Sequence, residues 1–139
     1  MRILIADDNR LVRRGVVAIL STEPTWEICG EAVNGAEALQ KSRDLRPDVV
    51  LLDVSMPGMS GLEVARLLRR EVPQARILII SQHDPAQLLP RVLEAGADGC
   101  LDKGRLGMDL LEAVRKFAPA GGISPGDERN TEEQDDPSF

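Results

Sequence analysis

Aromatic residues are nearly missing from this chain of 139 residues: two Phe, one Trp and no Tyr. Any core must therefore be aliphatic. Cysteine is scarce as well. Cys29 and Cys100 each lie in an apolar stretch, and no Cys-x-x-Cys spacing occurs, which argues against a secreted disulfide scaffold and a cysteine metal site. A reduced, intracellular protein is the economical expectation. Only four apolar residues, Ile3 to Ala6, precede the acidic pair Asp7-Asp8, too few for a signal peptide or a membrane span. A cytoplasmic location without a membrane partner follows. Lys and Arg form no basic patch that would suggest nucleic acid. No Gly-x-Gly-x-x-Gly follows the first apolar run, which speaks against dinucleotide binding.

The negative charge is unevenly placed. From Gly121 onward, Asp127, Glu128, Glu132, Glu133, Asp135 and Asp136 face Arg129 alone, so this segment holds −5 of the formal net charge of −6. A stretch of Gly, Pro, Ser and charge buries too little apolar surface to fold. Residues 119–139 are expected to form an acidic, disordered tail behind a single domain of residues 1–118.

That domain is built from short apolar runs, each ending in a polar residue. Ile3-Leu4-Ile5-Ala6 stops at Asp7-Asp8, Val49-Val50-Leu51-Leu52 at Asp53, and Ile77-Leu78-Ile79-Ile80 at Ser81; Gly99-Cys100-Leu101-Asp102 leads to Lys103. Continuous apolar runs of this length fit strands buried on both faces, and such strands are usually parallel. Between them, and a further strand over Glu27 to Ala32, lie segments with helical spacing. Asn9 caps the stripe Leu11, Val12, Val16, Ile19 and Leu20; Asn34 caps 36–43; Ser60 or Gly61 starts 62–70; the last helix covers Leu106 to Phe117. Asp84-Pro85 reads as another helix start, but Pro90 follows within it. Since a proline there removes a hydrogen bond and clashes with the preceding turn, this fourth helix is expected to kink or to start late, near Pro90.

Five strand-helix repeats imply right-handed crossovers and an α/β three-layer sandwich, with a flavodoxin-like parallel sheet in the order 2-1-3-4-5. Ligands of such sheets bind beyond the carboxyl ends of the strands, where Asp7, Asp8, Asp53, Ser81 and Lys103 would meet. Taken singly, each is an ordinary cap, turn or solvated charge. Their conjunction points to chemistry. Carboxylates brought together repel one another unless a cation neutralises them, and a hard divalent ion suits oxygen ligands. An aspartate is also a nucleophile toward phosphorus, and an ammonium can neutralise the transferred oxygens.

The segments Ile3 to Asp8, Leu51 to Gly61, Ile80-Ser81 and Gly96 to Lys103 together resemble the CheY-like receiver domain of two-component response regulators, over residues 2–118. Leu11-Val12-Arg13-Arg14-Gly15 and Ser81-Gln82-His83-Asp84 resemble the NarL/FixJ subgroup in particular. The resemblance implies that Asp53 accepts a phosphoryl group from a sensor histidine kinase or a phosphotransfer protein, with self-phosphorylation and slow autodephosphorylation as its only reactions. It implies Mg²⁺ (or Mn²⁺) held by Asp8, Asp7, Asp53 and the Ser55 carbonyl, and it pairs Lys103 and Ser81 with the phosphoryl group. It places a switch at Ser81, position 100 and the fourth helix, which contains Pro90. Cys100 stands where many receivers carry an aromatic, and is otherwise a small buried hydrophobe. Gln82 and Gly104 also depart from common residues, and His83 reads as a loop residue rather than a base.

The sequence after Gly121-Gly122 contains no helix-turn-helix, so direct DNA binding is not expected and the output would be a protein target. Exposed faces of the first, fourth and fifth helices are candidates for a phosphorylation-dependent dimer. Two other readings compete: a receiver-like interaction module that works without phosphorylation, and the receiver half of a NarL/FixJ-type transcription factor. An aspartyl-phosphate hydrolase would want Asp-x-Asp, which Asp53-Val54-Ser55 lacks.

Overall fold

The computed structural model describes residues 1–118. The expected acidic tail, residues 119–139, lies outside the described residues. Five strands alternate with five helices: β1 (Arg2–Ala6), α1 (Arg10–Leu20), β2 (Glu27–Ala32), α2 (Gly35–Leu45), β3 (Val49–Asp53), α3 (Gly61–Glu71), β4 (Arg76–Ser81), α4 (Pro85–Glu94), β5 (Gly99–Asp102) and α5 (Leu106–Arg115). All strand pairs are parallel, in the order β2-β1-β3-β4-β5. The sheet is the expected doubly wound one.

The apolar runs are continuous because each strand feeds two cores. Successive side chains point to opposite faces, so Leu4, Val50, Leu52, Ile77 and Ile79 pack with Leu39, Val64, Leu68 and Val92 on the side of α2, α3 and α4. Ile3, Ile5, Val49, Leu51 and Ile80 pack with Val16, Leu20, Leu110 and Val114 on the side of α1 and α5. Each fully buried Leu, Ile or Val contributes about 1.5–3 kcal/mol of transfer free energy. Trp26, just before β2, is half-buried against the second core at the edge where the strands begin.

Helix starts are chemically explicit. Asn9 accepts from the amides of Leu11 and Val12, and Asn34 from Glu37. Ser60 and Glu63 form a reciprocal capping box at the start of α3. Asp84 caps α4 through the Ala86 amide.

The expectation for α4 is corrected. The helix starts at Pro85 and runs unbroken to Glu94, with Pro90 inside it. Asp84 and Pro85 supply a strong start, and Pro90 removes only the hydrogen bond to the carbonyl of Ala86. Both Ala86 and Pro90 are exposed, so water can satisfy that carbonyl. Val92 is the only buried residue of the helix, whereas α3 buries Gly61, Leu62, Val64, Ala65 and Leu68.

The edge where the strands begin is closed by a polar clamp. Arg69, near the end of α3, donates from Nε to the Gly96 carbonyl at 2.7 Å, from Nη1 to the carbonyls of Pro73 and Ala75, and from Nη2 to Asp98 at 3.0 Å. Asp98 also accepts the Ile77 amide at 2.8 Å and pairs with Arg76 at 3.4 Å. Arg76 in turn lies 5.6 Å from the Phe117 ring centroid, a cation–π contact.

Candidate functional site

The opposite edge gathers the residues at the strand ends. Asp7 follows β1, and its amide donates to the Ala32 carbonyl of β2, which holds it against the sheet. Asp53 is the last residue of β3, and Ser81 the last of β4. Lys103 lies one residue beyond the end of β5, in a single 3-10 turn over Lys103–Arg105 capped by Asp102, where a simple strand end was expected.

Asp7, Asp8 and Asp53 each offer a carboxylate oxygen, and these oxygens lie within 4.8 Å of one another. Asp7 and Asp53 are buried, at 2% and 3% exposure, while Asp8 is exposed. Lys103 Nζ is 3.2 Å from Asp53 Oδ2, as a hydrogen bond, and 3.1 Å from Asp7 Oδ2. The second contact is an ion pair by distance, but the angles leave Asp7 Oδ2 without a hydrogen-bond donor. The Ser55 amide donates to Asp53 Oδ1 at 3.3 Å.

The electrostatics follow from this crowding. Burial, and then the charge of Asp7, raise the Asp53 pKa above its ordinary value; the Ser55 amide and Lys103 oppose them. Burial would lower the Lys103 pKa, but its contacts with Asp7 and Asp53 outweigh that and raise it. One ammonium thus faces several carboxylates, and a buried carboxylate oxygen is left with no donor. A hard divalent cation fits such a donor set, since Mg²⁺ uses one or two carboxylates plus waters and phosphate oxygens. Asp8, Asp7 and Asp53 are the side chains placed to hold it.

A cavity of about 350 Å³ opens over these groups, lined by Asp8, Asn9, Asp53, Ser55, Gln82, His83 and Lys103. Ser81 is fully buried, and its Oγ accepts the His83 amide at 2.9 Å, which shapes the loop that carries Gln82 and His83 to the cavity wall. The loop after β3 turns at Gly58, whose φ of +78° lies in a region that favours glycine. Gly61 is required for a different reason. A Cβ there would lie 2.4 Å from the carbonyl oxygen of Asp53, so α3 starts against the backbone at the end of β3.

Of the expected switch residues, Cys100 is half-buried against the α2, α3 and α4 core, and burial raises its thiol pKa. Pro90 is exposed on α4 and away from the cavity lining. The sequence reading took Asn9 only as a cap and assigned no role to Arg13, whose guanidinium holds the loop of Asp7. The spacing Asp7 to Arg13, across the first turn of α1, was the available signal.

A parallel sheet of this order, with three acidic groups and a lysine gathered at its carboxyl edge, defines a doubly wound α/β domain with an acidic pocket at its strand ends. The response regulator receiver domain family matches residues 3–115, and the chain belongs to it. Response regulator GacA of Pseudomonas viridiflava is 39% identical over 126 residues, covering 90% of this chain and 59% of GacA. Response regulator protein VraR of Staphylococcus aureus is 34% identical over 116 residues, 84% of this chain and 56% of that protein. The chain thus matches under two thirds of the length of these relatives. Among solved structures, the signal receiver domain of the response regulator NarL from Mycobacterium tuberculosis superposes with a TM-score of 0.78 at 39% identity, covering 83% of this chain and 93% of that one. The receiver domain of Thermotoga maritima CheB, 26% identical over 90% of this chain and 98% of that one, has a TM-score of 0.76. Among the described residues no helix is long and apolar enough to cross a membrane.

Proposed function

We propose that this receiver domain accepts a phosphoryl group on Asp53 from a phosphohistidine of a sensor kinase or phosphotransfer protein. The observation that carries the reading is the Lys103 ammonium, 3.2 Å from Asp53 Oδ2 and 3.1 Å from Asp7 Oδ2 beside an open cavity. A carboxylate oxygen of Asp53 attacks phosphorus in line; the P–N bond to the imidazole breaks as the P–O bond forms, and the imidazole leaves. Lys103 neutralises charge on the transferred oxygens, and the Ser55 amide holds the carboxylate in place. Asp8 and Asp7, with the Ser55 carbonyl, would hold Mg²⁺ or Mn²⁺. The metal supplies charge neutralisation at the same oxygens. Hydrolysis by water then returns Asp53 to its free form.

Ser81 would read the phosphoryl group by turning its hydroxyl from the His83 amide toward the cavity, which would shift the loop leading into α4. The small number of buried residues on α4 supports that helix as the element that changes. The exposed apolar residues Leu11, Leu89, Leu93 and Met108 lie on α1, α4 and α5 and favour those faces for a partner or for a phosphorylation-dependent dimer. A cytoplasmic location fits a phosphorelay. The domain boundary falls at residue 118 in this reading, with an acidic segment behind it.

Incubation with acetyl phosphate and Mg²⁺ tests the proposal by mass spectrometry. The wild type gains one phosphoryl group and Asp53→Asn gains none; no gain on the wild type, or an equal gain on the variant, overturns the reading. A second reading, the receiver half of a NarL/FixJ-type transcription regulator, is favoured by the greater length of GacA and VraR.

A further inference from the structure

The acidic pair that faces the cavity is held unevenly. Asp7 is fixed by several bonds: its amide donates to the Ala32 carbonyl at 3.0 Å, and its Oδ1 accepts the Asn9 amide at 2.8 Å. Asp8 is exposed and makes no hydrogen bond to any of the described residues. The orientation of its side chain is therefore set by the peptide plane that joins it to Asp7. One contact pins that plane: Nη1 of Arg13 donates to the carbonyl oxygen of Asp7 at 2.7 Å. Arg13 is held in turn, since its Nε is 3.0 Å from Glu31 Oε1 on β2, and its side chain is only 13% exposed. Its own amide closes the first turn of α1 onto the Asn9 carbonyl.

We propose that Arg13 is a positioning residue for the phosphoacceptor site. It fixes the peptide plane between Asp7 and Asp8, and thereby the aim of the Asp8 carboxylate at a divalent cation. The guanidinium suits the task because its planar fork reaches two acceptors at once, the Asp7 carbonyl on one side and Glu31 on the other. The inference rests on the reading of the site as a metal-dependent phosphoacceptor.

The sign of one measurement separates positioning from charge. Arg13 is a cation near a cation site, so Coulomb's law alone says that removing it tightens metal binding. Loss of positioning says the opposite. The test is Mn²⁺ binding to the full chain, read from the free-ion signal in electron paramagnetic resonance at fixed ionic strength and below the unfolding range.

Arg13→Met, similar in length but without donors, is expected to weaken Mn²⁺ binding about 10-fold, the lower end of what loss of an outer-shell partner costs. Arg13→Lys keeps the charge but gathers its donors on one nitrogen in place of the planar fork, and is expected to fall between. A merely structural role would lower the unfolding temperature and leave the affinity of the folded protein unchanged. Affinity that is unchanged or tighter in folded Arg13→Met overturns the proposal while leaving the metal site intact. Absence of Mn²⁺ binding by the wild type overturns the site reading itself and the inference with it. If Arg13→Met does not fold, Arg13→Leu, shorter and also without a donor, carries the same expectation.

Discussion

The two edges of the sheet treat clustered charge in opposite ways. Where the strands begin, Asp98 accepts from Arg69 and Ile77 and pairs with Arg76, and every remaining nitrogen of Arg69 finds a backbone carbonyl. Where the strands end, Asp7 and Asp53 share one lysine, and a buried oxygen of Asp7 is left without a donor. The first edge is satisfied by the protein's own groups and acts as a fastening. The second is left short of positive charge, and a cation can complete it. The two edges lie about five residues apart along β4.

The comparison breaks most completely under Asp53→Asn, which is expected to abolish phosphoryl gain from acetyl phosphate, whereas Asp98→Asn leaves that gain measurable. The reverse holds for stability. Asp98→Ala leaves Nη2 of Arg69 and the Ile77 amide without their acceptor, and is expected to cost about 2–3 kcal/mol in urea unfolding. Asp53→Asn removes a crowded, desolvated charge and is expected to raise the midpoint of thermal unfolding by a few degrees.

The pH dependence sharpens the same contrast. Burial and Asp7 raise the Asp53 pKa in the folded chain, so the native state binds this proton more readily than the unfolded one. The stability that a protonated Asp53 contributes is present below its ordinary value of 3.8 and is lost as pH rises through the raised folded value. Unfolding free energies measured across that window should fall less steeply with pH in Asp53→Asn than in the wild type. The smallest effect is expected at Arg105, whose exposed ion pair with Asp109 borders the edge where the strands end; Arg105→Ala should change stability by under about 0.5 kcal/mol. A larger loss there would mean that nearness to the site, and not burial, sets the difference between the edges.

Much of this architecture was legible in the chain. Strand limits could be read because apolar runs such as Val49 to Leu52 are buried on both faces and stop at a residue that cannot be. Helix starts could be read because Asn9, Asn34 and Ser60 supply a side-chain acceptor at the first turn. The gathering of Asp7, Asp8, Asp53 and Lys103 followed from strand order. Pro90 misled because the rule against proline in a helix weighs a lost hydrogen bond without knowing whether water can replace it, and at an exposed position it can. The 3-10 turn at Lys103 is capped by one hydrogen bond, donated by the Gly104 amide to the Asp102 carboxylate, too local a feature for apolar periodicity. Arg13 was missed because its partner is a backbone carbonyl, an acceptor that every residue carries and that no side-chain pattern marks.

The scarcity of aromatic residues, together with the position of Trp26, sets how the protein behaves optically. The sole indole is packed at the edge where the strands begin, and there is no tyrosine to transfer energy to it. Its emission should follow loss of the core around α1 and α5 and stay constant when charge changes at Asp53. That leaves a dark background over the cavity, against which a single indole introduced at exposed Gln82 would report metal or phosphoryl binding as the only signal from that end of the molecule.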